Sequence, residues 1–493
     1  MPTWPSQPVI FEINTWAWID ELRRKSGRPL TLETVPQDEL ERLAALGFDG
    51  LWLMGVWQRS PGSRQVASGI DALQKEYRRA LPDLRPDDIV GSPYAIYDYQ
   101  VDEQMGGDAA LAALRKRLEK LGLGLILDFV PNHLALDHPW TREHPERLLQ
   151  GRPAQLEKAP DNYFRAHGQV YAHGRDPYFP GWSDTVQLDY RRPETRRAIM
   201  DLLLSVSQRC DGLRCDMAML LTHDVFLRTW GGSFDPPGME FWPEAIDQVK
   251  AAHPGFLMMA EVYWDMEYEL QQMGFDYCYD KRLYDRLVKG QVAAIRDHLA
   301  LASREYLSRL VHFIENHDEP RAAATFGVQR SRAAAVAALA APGARLIHEG
   351  QLTGRRRKLP VQLGRRLEEP IEPELLSFYR ALLEALRHPI FHEGQWKLLS
   401  TQEATPGDES HRNLVISCWE LGAESRIAVA NLSTERAQTI VPIDRPGMAG
   451  RTWELYDLLG ANRFLRDGAE LGRRGLDLDL PGYGYHLFRL AEL

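Results

Sequence analysis

Cysteine is scarce in this chain: four residues in 493, at Cys210, Cys215, Cys278 and Cys418. They are too few and too scattered for a disulfide framework, and their spacing matches no zinc pattern, so they read as reduced thiols. No apolar run approaches membrane-spanning length. The N-terminal MPTWPSQPVIFEINTW lacks the basic start, apolar stretch and small-residue cleavage site of a secretory signal, so the expected location is the cytoplasm with no membrane partner. Positive charge is not in excess either. A formal net charge of −10 argues against a general nucleic-acid binder, which needs an electropositive footprint. Internal repeats and low-complexity tails are absent, and the only dense charge cluster is the RRRK run from Arg355.

What the chain has is length, an ordinary soluble composition of 44% hydrophobic and 26% charged residues, and thirteen tryptophans suited to stacking on sugar faces. Short apolar runs recur at 9–13, 50–54, 124–129, 212–216, 256–261, 275–279, 311–316 and 344–348. Helical patterns such as 108–121, 193–209 and 330–341 fall between them, the alternation expected of parallel βα units. Eight such strands predict a closed (β/α)8 TIM barrel of the α/β class. The rhythm breaks over residues 134–184, rich in His, Pro, Gly and aromatics, and another long loop is expected from 57 to 91. After Pro389 come β-prone segments, NLVISCWEL, RIAVANL, WELYDLL and YGYHLFRL, which predict a C-terminal antiparallel β domain. The expected organisation is barrel over 1–133, inserted domain over 134–185, barrel again over 186–390, and a β-sandwich over 391–493.

Four stretches end predicted strands with a carboxylate or an imidazole: DFVPNH from Asp128, GLRCD from Gly212, MAEV from Met259 and ENHD from Glu315. Such positions in a βα barrel converge on one open face. Arg214 and Asp216, two residues apart on a strand, point the same way and leave Cys215 on the opposite face. Glycoside cleavage with retention uses two carboxyl groups about 5–5.5 Å apart, one to attack and one to protonate the leaving oxygen. Asp216 and Glu261 are the expected pair. Glu261 follows the apolar run FLMMA, which predicts a raised pKa and an acid role, while Arg214 is expected to keep Asp216 charged. Asp318, His317 and His133 are placed to stabilise an oxocarbenium-like transition state. Singly, a strand-ending carboxylate is more often a cap or surface residue; four in register are harder to read that way.

These stretches resemble the conserved regions of the α-amylase family, glycoside hydrolase family 13, in the family's order, from about Pro8 to the C-terminus. The resemblance implies a catalytic barrel, an inserted domain after strand three and a C-terminal β domain. It implies Asp216 as nucleophile, Glu261 as general acid/base, Asp318 as transition-state stabiliser and Arg214 as the nucleophile's partner. His133 and His317 would then bind the sugar, with Asp128 and Asn132 shaping the site, and Tyr94 of GSPYAIYDY would stack on that sugar with Asp98 behind it. VQLDY from Val186 is loosely similar to the family's extra motif. No cofactor is expected to be required. The family often binds calcium through the asparagine matching Asn132, for which Asp161, Asp176 and Asp184 are further candidate oxygens of undiagnostic spacing.

Two departures from the family pattern matter. Met219 and Leu220 stand where many α-amylases carry a lysine and a histidine on the leaving-group side, so either the acceptor contact differs or these residues simply pack under the rim. The loop HEGQLTGRRRKLPVQLGRR from His348 is unusually basic, which makes Arg355 and Arg356 candidate anion-binding residues against the alternative of a solvated basic loop. The leading expectation is a retaining hydrolase of malto-oligosaccharides or other short α-glucosides, acting through a covalent glycosyl-Asp216 intermediate. An α-glucan transglycosylase, a phosphate-using glucosyl or maltosyl transferase, and a catalytically silent glycan-binding protein are the alternatives. The partner expected is an α-linked oligosaccharide; the oligomeric state is not legible.

Overall fold

A computed structural model describes residues 4–234, 240–443, 445 and 447–493. Eight parallel strands close into a barrel in chain order: β1 (Val9–Asn14), β2 (Gly50–Met54), β3 (Gly124–Phe129), β4 (Gly212–Cys215), β5 (Leu257–Ala260), β6 (Tyr277–Tyr279), β7 (Leu310–His312) and β8 (Ala344–His348), with β8 paired back to β1. Runs such as GLILDF are apolar throughout because a barrel strand is buried on both faces. Inside the barrel, Ile10, Trp52, Met54, Ile126, Met259, Tyr279, Phe313 and Leu346 form one packed cluster. The amino-terminal end is plugged by Trp4. A Cβ on Gly50 or Gly124 would lie within 2.5 or 2.4 Å of that indole, so both strands must begin with glycine.

The strands bearing the expected site are shorter than their sequence suggests. β4, β5 and β7 stop at Cys215, Ala260 and His312, and the carboxylates sit just beyond. The ladder persists one residue further at two of them: Asp216 N donates to Phe129 O at 2.8 Å and Glu261 N to Cys215 O at 3.0 Å. Backbone pairing therefore fixes where both side chains start.

Helices Gly107–Lys120, Pro193–Ser207 and Gly327–Leu339 fall close to the expected ranges. The stretch after β2 is not an unstructured loop: it holds helices Pro61–Gly69 and Asp71–Ala80. The first is started by Ser60, whose side chain accepts from Ser63 N, with proline in the first turn. The second buries Tyr77 and Ala80 against Leu81, Ile89 and Leu363 from the loop after β8. After β3 come two small antiparallel pairs, His133–Ala135 with Thr185–Gln187 and Tyr163–Ala166 with Gln169–Ala172.

The C-terminal part is antiparallel: β9 (Gln395–Leu398), β10 (Leu414–Leu421), β11 (Glu424–Asn431), β12 (Ala437–Val441), β13 (Thr452–Asp457), β14 (Arg463–Asp467), β15 (Leu476–Leu480) and β16 (Tyr485–Glu492). Six form a sheet in the order β9-β10-β11-β16-β13-β14, and β12 pairs with β15. Leu414, Ile416, Val429, Leu455, Leu478 and Phe488 share the core between them. The alanine-rich helix Gly327–Leu339 lets this domain approach closely, and Trp419 Nε1 donates to Ala340 O at 2.6 Å.

Candidate active site

Arg214, fully buried at the end of β4, organises the open face of the barrel. Its Nη1 donates to Asp216 Oδ1 at 2.7 Å and its Nη2 to Glu261 Oε2 at 2.7 Å, while Asp128 Oδ1 lies 3.5 Å from Nη1. The guanidinium lies over the rings of Tyr94, Trp52 and Tyr279 at 5.0, 5.4 and 5.9 Å. Those faces add cation–π attraction to an ion-paired, dehydrated charge.

The expectation that Arg214 serves Asp216 alone while Glu261 sits in apolar surroundings is not what the structure has. Three donors converge on Glu261: Arg214, Met217 N at 2.8 Å, and Tyr263 Oη at 2.7 Å. Asp216 is the carboxyl pushed up, to about 8, by burial and by the Glu261 and Asp128 charges, against the pull of Arg214. Asp128, which also accepts from Gly55 N at 3.2 Å, is raised to about 6 by burial, with Arg214 and His317 opposing. The reason is geometric. β4 and β5 are paired with Arg214 beside Met259, so the arginine reaches the neighbouring strand's carboxylate as easily as its own.

Opposite this cluster stands His317. Its Nδ1 is 2.5 Å from Glu12 Oε1 on β1, and its Nε2 lies 2.7 Å from Tyr94 Oη and 3.0 Å from Asp318 Oδ2. Burial favours the neutral ring, but Asp318 and Glu12 together push its pKa up to about 10. His317 is thus a cation at neutral pH and holds the Asp318 carboxyl well below the usual carboxylate range. Tyr94 stacks on His317 with ring centroids 5.4 Å apart. Asp318 itself is the open member, its side chain 45% exposed.

His133 is buried beside this group, with Nε2 3.1 Å from the Tyr94 carbonyl and the Trp182 ring 5.1 Å away. Burial pulls its pKa down to about 4, so it is neutral and donates to that carbonyl. Asp98 is not brought to the cluster: it lies in the strand Ile96–Val101, its pKa is raised by burial, and the charges acting on it are Arg209 and Asp108. Cys215 faces away, as alternation predicts, its thiol raised by burial. Met219 and Leu220 lie in a buried turn, 0% and 3% exposed, and pack in the core.

The basic loop spends its charge internally. Arg355 Nη2 donates to Glu21 Oε2 at 3.0 Å, where Arg366 also binds at 2.8 Å. Arg356 Nη1 donates to Ala323 O at 2.9 Å and its backbone N to Glu369 at 2.8 Å. This placement speaks against an anion site at Arg355 and Arg356.

Asn132 does not fit a calcium site either. Calcium takes about 6–8 oxygens, but Gln187 Nε2 donates to both the Asn132 carbonyl at 2.9 Å and Oδ1 at 3.1 Å. Asp184 holds Ser63 Oγ at 2.6 Å, Asp176 Oδ1 caps Tyr178 N and Phe179 N at 2.6 and 2.9 Å, and Asp161 is exposed. Among the described residues no three His, Cys, Asp or Glu side chains stand together as a metal-binding group.

Sequence reasoning missed two members of the site, Glu12 and Tyr263. Glu12 had a readable signal, a single carboxylate in the wholly buried strand VIFEIN. Tyr263 had none beyond its nearness to Glu261.

A family model described as "Alpha amylase, catalytic domain" matches residues 37–368. The chain is 24% identical over 364 residues to α-amylase MalA of Haloarcula japonica, covering 72% of this chain and 45% of that protein. It is 24% identical over 320 residues to Maltase 1 of Drosophila virilis, covering 54% of this chain and 50% of that one. The chain thus spans about half the length of these two curated relatives. Among solved structures, maltogenic α-amylase AmyB of Thermotoga neapolitana superposes with a TM-score of 0.69 at 19% identity, covering 99% of each chain.

Proposed function

The chain belongs to the α-amylase family, and from that premise we propose that it is a retaining enzyme acting on α-glucosidic bonds of malto-oligosaccharides or related short α-glucosides. The observation that carries this reading is the grip of Arg214 on Asp216 and Glu261 at 2.7 Å each. Two carboxyls held by the two ends of one guanidinium suit the spacing of about 5–5.5 Å that retention uses. An inverting pair, about 6.5–9.5 Å apart, would hold a water between them.

In this mechanism Asp216 attacks the anomeric carbon as Glu261 gives its proton to the departing glycosidic oxygen. Glu261 then removes a proton from water or from a second sugar, whose oxygen displaces the Asp216 carboxylate. Burial and the Glu261 and Asp128 charges favour a proton on Asp216 in the empty site, and the reaction requires that a proton stand on Glu261 once the sugar is bound. Positive charge developing on the sugar favours ionised Asp216 and moves that proton to Glu261 beside the leaving oxygen. Asp318, kept ionised by His317, faces the same developing charge. Tyr94, His317 and His133 shape the donor pocket, and no cofactor enters any step.

The test is substitution with stereochemistry. Asp216→Asn and Glu261→Gln preserve size and hydrogen bonding, and each is expected to lower turnover of maltotriose by about three orders of magnitude or more with the thermal transition retained. Proton NMR of the wild-type reaction is expected to show the α-anomer as first product. A β-configured first product, or near-normal turnover in either variant, overturns the assignment.

A further inference from the structure

The six-stranded sheet of the C-terminal domain ends at β14, and among the described residues no strand lies on its far side. The pairing with β13 shows which way its backbone groups turn. Asp457 N donates to Asn462 O and Gly468 N to Arg451 O, both at 2.9 Å, and the register between them runs unbroken from Tyr456 beside Arg463 to Thr452 beside Asp467. Bonded and non-bonded pairs alternate along an antiparallel ladder. Phe464 and Arg466 therefore bond inward to β13, while Arg463, Leu465 and Asp467 turn N–H and C=O away from the sheet. The Leu465 carbonyl accepts from the Arg466 guanidinium at 3.0 Å, and a carbonyl has a second lone pair for another donor.

The same three residues share one face of the strand. Leu465, at the centre, is 58% exposed. Arg463 reaches Glu454 at 3.6 Å and lies over Tyr456, yet its side chain is 70% exposed; Asp467 Oδ1 accepts from Glu470 N at 2.9 Å. Phe464 and Arg466 line a cleft of about 220 Å³ with Leu476 and Leu478 of β15, so β15 faces this strand across a gap and does not extend the sheet. Charge on an edge strand ordinarily repels a second strand. The run RFLRD does the opposite toward its own copy. Laid antiparallel about Leu465, it sets Arg463 opposite Asp467 at both ends, and the residues so matched are those whose backbone groups are free. The other edge strand, β9, has a single charge, Lys397, already held by Glu420 at 3.0 Å.

We propose that β14 is a self-association surface, on which a second copy of this chain pairs antiparallel about a two-fold axis at Leu465 and joins the two six-stranded sheets. Each Leu465 exchanges both backbone hydrogen bonds with its counterpart, and each Arg463 does so with the other copy's Asp467. A two-fold interface of this kind uses one self-complementary patch twice, and opposite charges directly across an antiparallel pair stabilise it. Twist of about 20–25° between neighbouring strands accumulates across the joined sheet and turns the two barrels away from each other. The surface uses no residue of the candidate active site and stands apart from the retaining reading.

The test is sedimentation velocity of the full chain from about 1 to about 100 µM, where a species of twice the chain mass is expected to grow with concentration. Leu465→Pro removes an N–H that β13 does not use, a place where an edge strand tolerates proline. It is expected to weaken association about tenfold or more with the thermal transition retained. Arg463→Asp and Asp467→Arg each set like charges opposite one another in their own dimers, and each alone is expected to weaken association about tenfold. In an equimolar mixture of these two variants opposite charges face each other again at both ends, and a mixed dimer is expected to form. The charge variants, each first shown to keep the wild-type far-ultraviolet circular dichroism, report even where Leu465→Pro folds poorly. A wild type that stays monomeric throughout, a folded Leu465→Pro chain that associates as the wild type does, or a mixture no more associated than its components overturns the proposal.

Discussion

Glu12 and His317 stand 305 residues apart in the chain and 2.5 Å apart in the site. The pair joins the first strand of the barrel to the loop after the seventh and makes His317 a buried cation. Glu12→Gln keeps an acceptor for Nδ1 and removes only the charge. The expected results are a His317 imidazole that titrates below its present value of about 10, and a stability loss of about 1–3 kcal/mol at pH 7. A histidine raised in the folded state contributes stability that is complete below the unfolded value of about 6.5 and is lost as pH rises through about 10. The cost of Glu12→Gln should therefore fade between pH 7 and pH 10.5 in chemical denaturation. A cost that is absent, or the same at both, would show that the charge on Glu12 does not hold His317.

The raised carboxyls of Asp216 and Asp128 set the pH dependence of turnover. Asp216 is raised to about 8 and Asp128 to about 6. As pH rises through about 8 Asp216 loses the proton that the site must hand to the leaving oxygen; as pH falls through about 6 Asp128 gains one and ceases to balance Arg214. A bell-shaped profile of kcat/KM for maltotriose is expected, centred near neutrality with limbs close to those values. Activity that stays level from pH 6 to 10 would dismiss this account.

The barrel is legible in the sequence because a strand buried on both faces must be apolar throughout, and GLWLM, GLILDF and ARLIH are. β-Prone segments bounded by turns mark β10, β11, β13 and β16. That reading passes over β9, β12, β14 and β15, whose polar alternation, as in QWKL and LDLDL, marks strands with one solvated face. Asp216, Glu261 and Asp318 are legible as strand-ending groups, but their charge relations are not, because Arg214 reaches across to β5 and alternation along one strand sees only Asp216. Arg355 shows the same limit. Sequence registers its charge, while its partner Glu21 lies 334 residues away.

The Asn132 environment leads to a third expectation. Both oxygens of Asn132 accept from Gln187, and among the described residues no three His, Cys, Asp or Glu side chains stand together as a metal-binding group, so this position offers chelation no evident target. Prolonged treatment with excess EDTA is expected to leave the unfolding midpoint within about 1 °C and activity unchanged, where loss of a bound ion would lower it through linkage. Gln187→Ala leaves the buried Asn132 Oδ1 without its donor, the carbonyl keeping Leu188 N at 3.3 Å, and should cost about 1–3 kcal/mol. A midpoint that drops on chelation and recovers with added calcium would contradict this reading of Asn132.

Glu267 sets a stability limit remote from the chemistry. It opens the short helix Glu267–Gln272, is 1% exposed, and neither carboxyl oxygen has a hydrogen-bond partner among the described residues. Burial, reinforced by the nearby Asp280 charge, pushes its pKa up to about 7. Asp280 stays ionised because His298 Nε2 and His312 Nδ1 lie 2.9 and 3.1 Å from its Oδ2. An acid raised in the folded state binds more protons there than in the unfolded chain, so stability falls as pH rises from about 4.5 to about 7 and levels off above. Glu267→Gln removes that titration. The variant is expected to match the wild type near pH 5 and to exceed it by about 2–3 kcal/mol at pH 8, read as a urea midpoint at each pH. Wild-type and variant midpoints that run parallel from pH 5 to 8 would mean that Glu267 does not ionise within the fold.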